Sequence, residues 1–595
     1  MVGERRFFLD VKRSASGLAW VHRLSERDEN VALAIAQNHG LPDIVARVLA
    51  GRGIDADAAQ RFLDPTIRDL LPDPASLTDM DKAAARIAHA IERGEKVAIF
   101  GDYDVDGAAS SALMKRVLDH YRVPNEIYIP DRIFEGYGPN PDAMRELVAK
   151  GARLIVTVDC GTNSAPSVAA AKDAGADVVV IDHHQVGGPL PDAVAVVNPN
   201  RDDDLSGQGH LCAAGVVFLT LVQVVKNLRQ RAVSAPPPDL LGLLDLVALA
   251  TVCDVVPLTG VNRAFVVKGL VAARHMQNPG LAALQRVARI GEPINTFHLG
   301  FLIGPRINAG GRIGDAALGA RLLATDDPVE AQAIAETLDR LNQERQAMEK
   351  AMLAEARAEA DAELMSGKGP AVIVTASEHW HPGIVGLLAS RLKDHARRPA
   401  FAIAFNANDI GTGSGRSIPG LDLGRLVREA VEQGLLAKGG GHAMAAGITV
   451  ERAKLGALRA FFEEKASAEV FRLRDEETLK VDAALMAEGA NLRLLDVLER
   501  AGPFGAGHSQ PLFVLPRHDI VRVRPVGVGH LRVDLKSGSG GSLQAMAFRC
   551  AETELGNFLL KQQGRTVHVA GSIAANYWNG SKSVQFRLTD AALAG

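Results

Sequence analysis

Three aspartates stand at every second position in VAIFGDYDVDG, residues 97–107: Asp102, Asp104 and Asp106. Alternate side chains of an extended backbone share a face, so this spacing directs all three into one pocket. Three close anions repel one another unless positive charge stands between them, and a divalent cation held by oxygen ligands is the simplest such charge. A solvated acidic turn fits the same short motif. Further acids and histidines follow apolar runs later in the chain. Asp159 ends LIVTVD, Asp182, His183 and His184 end VVVIDHH, and Asp254 ends LLGLLDLVALATVCD. Singly, each has an ordinary explanation as a helix cap or a polar loop residue. Together they place acid and imidazole at the end of one apolar run after another, as a metal-dependent hydrolytic site requires.

The runs that must position them are VAIF (97–100), EIYIP (126–130), LIVTVD (154–159), VVVID (178–182) and AVAVVN (193–198). Helical stretches such as PDAMRELVAKG and APSVAAAKDAG lie between them. Continuous apolar strands alternating with helices predict a parallel sheet buried on both faces. Such sheets bind ligands beyond the carboxyl ends of their strands, where the acids fall. Residues 325–367 carry the longest helical pattern, with Ile334, Leu338, Leu341, Met348 and Met352 at threes and fours, and are read as a connecting helix. A second α/β unit is expected over 368–470, from PAVIVTA, a helix at 384–395 and PAFAIAF. Within it GTGSGRSIPG and LLAKGGGHAMAAG read as glycine-rich loops able to approach phosphates, with Ser414, Arg416, Gly440, Gly441 and His442. From 475 to 595 several short strands and the turn SGSGG predict a small barrel, with Arg522, Arg524, Arg532, Tyr577 and Trp578 as charge and stacking surfaces. Residues 1–70 read as a small helical lead-in.

Composition narrows the classes. The chain has 595 residues and a net charge of −4, so a basic surface for nucleic acid has to be local. Four scattered cysteines without CxxC spacing argue against structural zinc and a disulfide framework, and for a reducing compartment. No run of about 18 apolar residues is present and the first residues carry no secretory pattern, so a cytoplasmic protein is expected.

GDYDVDG, VTVDCGTN, IDHHQ and TVCDVVPL, in that order, resemble the DHH phosphoesterase superfamily, named for the triplet seen here as Asp182-His183-His184. GPRINAGGRIGDA (304–316), WHPGIVGLLASRL (380–392), GSGRSIPG (413–420), GGGHAMAAG (439–447) and GPFGAGHSQPLF (502–513) resemble its bacterial single-strand-specific 5′→3′ DNA exonucleases. The likeness covers about 75–595, with His508 standing where asparagine is expected. It implies an α/β multidomain chain: a DHH domain over 71–324, the connecting helix, a DHHA1-type nucleic-acid-binding domain and a C-terminal OB-fold. It also implies two Mn²⁺ or Mg²⁺ ions about 4 Å apart, bridged by Asp159. Asp102 and Asp104 would face one ion; Asp106, His183 and Asp254 would face the other. His184 would meet the scissile phosphate, and Asp182 would orient a histidine. Arg132, Tyr137, Arg306, Asn308 and Arg312, with the glycine-rich segments and the barrel, would grip the strand. Release of 5′-mononucleotides, a role in repair and recombination, and a monomer working with single-strand DNA-binding protein and a helicase are further implications. Three alternatives stay open: a DHH enzyme for oligoribonucleotides or other small nucleotides, a non-catalytic DNA-binding scaffold, and a metal-independent protein of unrelated function.

Overall fold

The structure, a computed structural model, describes residues 6–131, 135–136, 138–231, 235–365, 368–578 and 581–595. Near the start, strand β1 (Ala19–His22) precedes the helices Glu26–His39 and Asp43–Ala50. An amphipathic helix must bury its apolar face against something, and these two short helices cannot enclose a core alone. Ile35, Val45 and Leu49 are buried instead with Phe513, Leu531, Val569 and Phe586, near the other end of the chain. The segment expected as a helical lead-in is therefore part of the C-terminal core.

The five apolar runs form β2 (Val97–Gly101), β3 (Asn125–Tyr128), β4 (Leu154–Val158), β5 (Asp177–Ile181) and β6 (Ala195–Val197). All pair in parallel, in the order β3-β2-β4-β5-β6. Side chains alternate between two cores. Val97, Ile99, Val156 and Ile181 pack with the helices Val105–His120 and Ala213–Gln230. Ala98, Phe100, Ile155 and Val180 pack with Met144, Leu147 and Val168. Both faces are covered, as the unbroken apolar runs require.

A 37-residue helix, Pro328–Leu364, leaves this unit. At 1.5 Å per residue it is about 55 Å long. Its first half (Ala331, Ile334, Leu338, Leu341) belongs to the first core. Its second half (Met352, Ala356, Ala360) packs with Leu388 and Ala402 of the next unit. There β7 (Ile373–Ser377) and β8 (Ala400–Phe405) are parallel, and β9 (Ile410–Arg416), β10 (Lys438–His442) and β11 (Ala445–Glu451) extend the sheet antiparallel, in the order β10-β11-β9-β8-β7. The two glycine-rich stretches are thus mainly strands, which corrects the loop reading. A Cβ on Gly413 would come within 2.7 Å of Ile448, and one on Gly415 within 2.3 Å of Phe401. The glycines leave room on the sheet for large apolar neighbours.

Strand β12 (Thr478–Val481) pairs in parallel with β1. After the two-residue β13 (Ala483–Ala484) come β14 (Phe513–Val526), β15 (His530–Ser537), β16 (Ser542–Ala547), β17 (Thr566–Trp578) and β18 (Ser581–Leu593). The order β14-β15-β16-β18-β17, with β17 returning to β14, closes a five-stranded barrel and leaves no long free edge. Arg263, 1% exposed, ties the barrel's approach to the first unit by donating to the carbonyls of Phe62, Ala501 and Gly502. His508 is buried against Phe504 and Phe62, with Nε2 2.8 Å from the Ala501 carbonyl. Burial holds its pKa down to about 3, so this imidazole is a neutral packing group. Among the described residues no helix is long and apolar enough to cross a membrane.

The packing over β9 predicts that Gly415→Val destabilises the second unit by about 1–3 kcal/mol through overpacking against Phe401. Calorimetry should show a lower unfolding midpoint; an unchanged midpoint would contradict this packing.

Candidate metal centre

The strand register builds the site. Gly101, Val158 and Ile181 lie opposite one another at the ends of β2, β4 and β5. The next residue of each strand is an aspartate, so Asp102, Asp159 and Asp182 emerge side by side. All three are at most 4% exposed. Asp159 has φ +61°, a left-handed backbone that aspartate tolerates better than most residues. Asp104 caps the helix Val105–His120: its Oδ1 accepts from the backbone N–H of Asp106 (2.9 Å) and Gly107 (3.1 Å). A Cβ on Gly107 would lie 2.4 Å from the Asp102 carbonyl, so only glycine lets this helix start so close. Asp106 receives Ala213 N–H at 2.7 Å and Ala214 N–H at 2.8 Å, from the first turn of the helix Ala213–Gln230. The positive end of a helix thereby stabilises a buried anion. Asp254 ends the helix Leu244–Cys253 and faces the same space.

His183 Nδ1 is 3.1 Å from the Leu211 carbonyl. A carbonyl only accepts, so Nδ1 carries the hydrogen and the Nε2 lone pair is left for the site. Nε2 stands 3.3 Å from Asp159 Oδ1 and 3.7 Å from Asp106 Oδ2. His184 Nδ1 lies 2.7 Å from Asp182 Oδ1. Asp182 also accepts from Thr162 N–H at 3.0 Å and His183 N–H at 2.8 Å. Burial alone would depress His184, but the Asp182 hydrogen bond and charge, with Asp102 and Asp104, raise its pKa to about 9. Asp182 moves the other way: burial opposes ionisation, and the bonds from His184 and Thr162 outweigh it and lower its pKa. Burial and then the charge of Asp106 push Asp159 well above the carboxylate range. The same causes, burial first, raise Asp254 to about 9.

Three overlapping groups result, each with ligand atoms within 4.8 Å of one another: Asp102–Asp104–Asp159, Asp106–His183–Asp254 and Asp159–His183–His184. Asp159 joins the first to the third and His183 the second to the third. Asp159 Oδ1 is buried and accepts no hydrogen bond from the described residues. A buried oxygen without a partner, crowded by like charge, is suited to a cation. A donor set dominated by carboxylate oxygens, with few imidazoles and no thiolate, matches Mn²⁺ or Mg²⁺ better than softer metals.

The substrate-binding residues expected from sequence fall into three places. GPRINAGGR forms the helix Gly304–Ile313. A Cβ on its Gly311 would lie 2.9 Å from Tyr103, so it packs directly on the aspartate motif. On it Arg306 pairs with Asp339 at 2.8 Å and donates to the Leu302 carbonyl at 2.6 Å. Arg312 Nη1 donates to the Gly383 carbonyl of the second unit at 3.0 Å. Asn308 Oδ1 is buried without a hydrogen-bond partner among the described residues. In the second unit Ser414 and Arg416 meet at 2.8 Å on β9, while Gly440, Gly441 and His442 lie on the edge strand β10. Tyr577 is exposed on the barrel. Arg132 and Tyr137 lie outside the described residues, as does the side chain of Trp578. Sequence reasoning missed the Leu211 carbonyl and the Ala213 and Ala214 amides, which as backbone groups leave no residue-type signal. It also missed Phe297 and Phe301, exposed and stacked at 5.2 Å just ahead of the helix Gly304–Ile313. Two phenylalanines four apart in an aromatic-poor chain were a usable signal.

A parallel sheet that gathers an aspartate triplet and an Asp-His-His turn at its carboxyl edge defines a DHH-type phosphoesterase unit. Family models agree: the DHH family N-terminal domain matches residues 96–251, the DHHA1 domain 369–468 and the RecJ OB domain 481–590. The chain belongs to the RecJ family. It is 35% identical over 584 residues to the single-stranded-DNA-specific exonuclease RecJ of Salmonella typhimurium, covering 96% of this chain and 98% of that protein. It is 34% identical to RecJ of Escherichia coli, covering 92% and 95%. The crystal structure of RecJ with Mn²⁺ from Thermus thermophilus superposes with a TM-score of 0.77 at 29% identity, over 97% of this chain and 80% of that one. The Mg²⁺ complex of the same protein gives 0.72 at 29% identity, over 97% and 79%.

Without cations the clustered carboxylates repel, so Asp159→Asn should leave the chelator-treated protein at least as stable as wild type. The same substitution should abolish most of the stabilisation gained on adding Mn²⁺, about 2.7 kcal/mol at 100 times the dissociation constant. Thermal unfolding with chelator and with Mn²⁺ reads both. A variant that gains as much from Mn²⁺ as wild type would remove Asp159 from the ligand set.

Proposed function

We propose that this protein is a metal-dependent, single-strand-specific 5′→3′ DNA exonuclease that releases 5′-mononucleotides in cytoplasmic DNA repair and recombination. The observation that carries this reading is the set of three ligand groups joined through Asp159 and His183 at one sheet edge. Asp102, Asp104 and Asp159 would hold one ion, and Asp106, His183, Asp254 and the shared Asp159 the other. When bound, such a pair supplies activation of the attacking water and neutralises charge on the scissile phosphate. His184, kept protonated by Asp182, donates a hydrogen bond to a phosphate oxygen as charge accumulates there. The name borne by the relatives supports a single-stranded DNA substrate.

A route for the strand is supported by the barrel's register. Arg524 lies opposite Arg532, Arg532 opposite Met546, and Met546 opposite Arg587, so one row crosses four strands. Residues directly opposite share a face. Phe548 and His530 extend it, with ring centroids 5.4 Å apart. Cationic and aromatic groups on one face suit an unpaired strand, whose bases are free to stack. Phe297 and Phe301 offer a second stacking surface on the segment leading into the helix that touches the aspartate motif. Arg306, Arg312, Asn308, Ser414, Arg416, Gly440, Gly441 and His442 are proposed phosphate contacts, with Arg132 and Tyr137 at the 5′ end and Tyr577 and Trp578 as further stacking groups. Backbone contacts carry no sequence code, so cleavage is sequence-independent. All three ligand groups come from one chain, which supports a working monomer. An enzyme confined to single strands needs an unwinding activity to supply them, which supports a helicase and single-strand DNA-binding protein as partners.

Asp159→Ala should reduce hydrolysis about 10²-fold or more in saturating Mn²⁺ while DNA binding persists; a tenth of normal turnover would refute the bridging role. A 5′-end-labelled strand should release labelled mononucleotide first, and Arg132→Lys should narrow the preference for a 5′ phosphate over a 5′ hydroxyl. Shortening from the 3′ end, or cutting of circular single strands, would overturn the polarity. Arg532→Ala should weaken single-strand binding and lower the salt dependence by about one phosphate contact. An unchanged salt slope would exclude the barrel row. Point variants are the right probe, because truncation would expose the core shared with residues 19–63.

A further inference from the structure

Beyond the metal ligands and the DNA-facing groups, two buried or half-buried amides lie just after β6 and face the back of the Asp-His-His turn. Asn198, fully buried, donates from Nδ2 to the His184 carbonyl at 2.8 Å and to Thr162 Oγ1 at 2.9 Å. Its Oδ1 accepts the Asn200 N–H at 2.8 Å. Asn200 donates from Nδ2 to the His183 carbonyl at 2.5 Å. Gly209 makes room for it, since a Cβ there would come within 2.6 Å of Asn200 Oδ1. Two residues further on, Leu211 offers the carbonyl that fixes the His183 ring.

We propose that Asn198 and Asn200 are positioning residues for the tandem histidines, holding the His184 and His183 carbonyls so that both imidazoles keep their aim into the site. The proposal rests on the reading of His183 as a metal ligand. The Asp182 carboxylate already gathers the N–H side of the turn, from Thr162, His183 and His184. The two asparagines close the carbonyl side. With both sides held, neither peptide plane of the pair is free to rotate, and the ring positions follow from the backbone. The chemistry requires an amide. An aspartate of the same shape would set a carboxylate oxygen against a carbonyl oxygen and replace attraction with repulsion. Neither asparagine touches substrate or reacting atoms, so the effect should appear in metal affinity and turnover and not in capture of DNA.

The test uses the full chain with Asn200→Ala and the isosteric Asn200→Asp, at a half-buried position. Mn²⁺ binding without DNA is measured by calorimetry, kcat and KM on a single-stranded oligonucleotide by product release, and folding by thermal unfolding. Expected for Asn200→Ala are Mn²⁺ binding weaker by about tenfold or more, a comparable fall in kcat, and a KM within about twofold of wild type. Asn200→Asp should be worse in both affected quantities. Folded variants with wild-type Mn²⁺ affinity and kcat overturn the proposal, whatever happens to the unfolding midpoint. If either fails to fold, Asn200→Val, which removes the donor but fills most of the same space, is held to the same two readouts and decides in its place. His183→Ala separates the two levels. Wild-type Mn²⁺ affinity in that variant overturns the ligand reading itself, whereas loss there with none in Asn200→Ala overturns only the clamp.

Discussion

Carboxylate repulsion at the edge of the first sheet is the constraint on which the rest of the structure depends. Three strands in register end at the same level, and each delivers an aspartate there, with Asp104, Asp106 and Asp254 close by. Buried like charges at such separations would spread the strand ends unless something offsets them. The protein does so one residue at a time. Asp106 has a helix N-terminus, Asp104 caps the helix that follows it, and Asp182 accepts four N–H groups from the turn it organises and from Thr162. Among the described residues Asp159 keeps a buried oxygen that accepts no hydrogen bond, and it is the carboxylate that two of the candidate ligand groups share. What the backbone leaves unsatisfied is the part reserved for cations.

Rigidity elsewhere serves that edge. The sheet is filled on both faces, so its strand ends have little freedom to separate. The helix Gly304–Ile313 touches Tyr103 within the aspartate motif and, through Arg312, the Gly383 carbonyl of the second unit. Trp380, three residues before Gly383, donates from Nε1 to Glu355 on the 37-residue helix at 2.8 Å. One short helix and one long one therefore fix the second α/β unit relative to the metal edge without any strand passing between them.

Much of this was legible in the sequence. Period-free apolar runs ending in Asp159 and in Asp182-His183-His184 located both the parallel sheet and the acid and imidazole cluster at its edge, because burial on two faces and chemistry at strand ends each leave a residue-type signature. Four features did not. The glycines of 411–415 were read for phosphate-loop freedom, whereas they relieve crowding by Phe401, Ile403 and Ile448; glycine reports only that a side chain is absent, not why. The helix Gly304–Ile313 was hidden for the same reason, since Gly310 and Gly311 lower helix propensity while close packing on Asp315 and Tyr103 demands them. The partner of residues 19–63 was invisible because an amphipathic face says that something covers it and not how far along the chain the cover lies. Carbonyl and amide contacts, such as Leu211 to His183 and Asn200 to the turn, depend on register and close approach, which local spacing does not encode.

The pairing of β1 with β12 has a consequence for how the molecule comes into being. Trp20 Nε1 donates to Asp590, 570 residues away, at 2.9 Å, and Ile35 and Leu49 share a core with Phe586. A ribosome adding about 5–20 residues per second needs on the order of half a minute to two minutes to travel that distance. For all that time the earliest helices are made but have nothing to cover them. The catalytic sheet, complete by residue 197, can condense long before. Its site is thus assembled early, whereas the chain's two ends meet last, and an unfinished polypeptide is marked by the exposed apolar face of its own beginning.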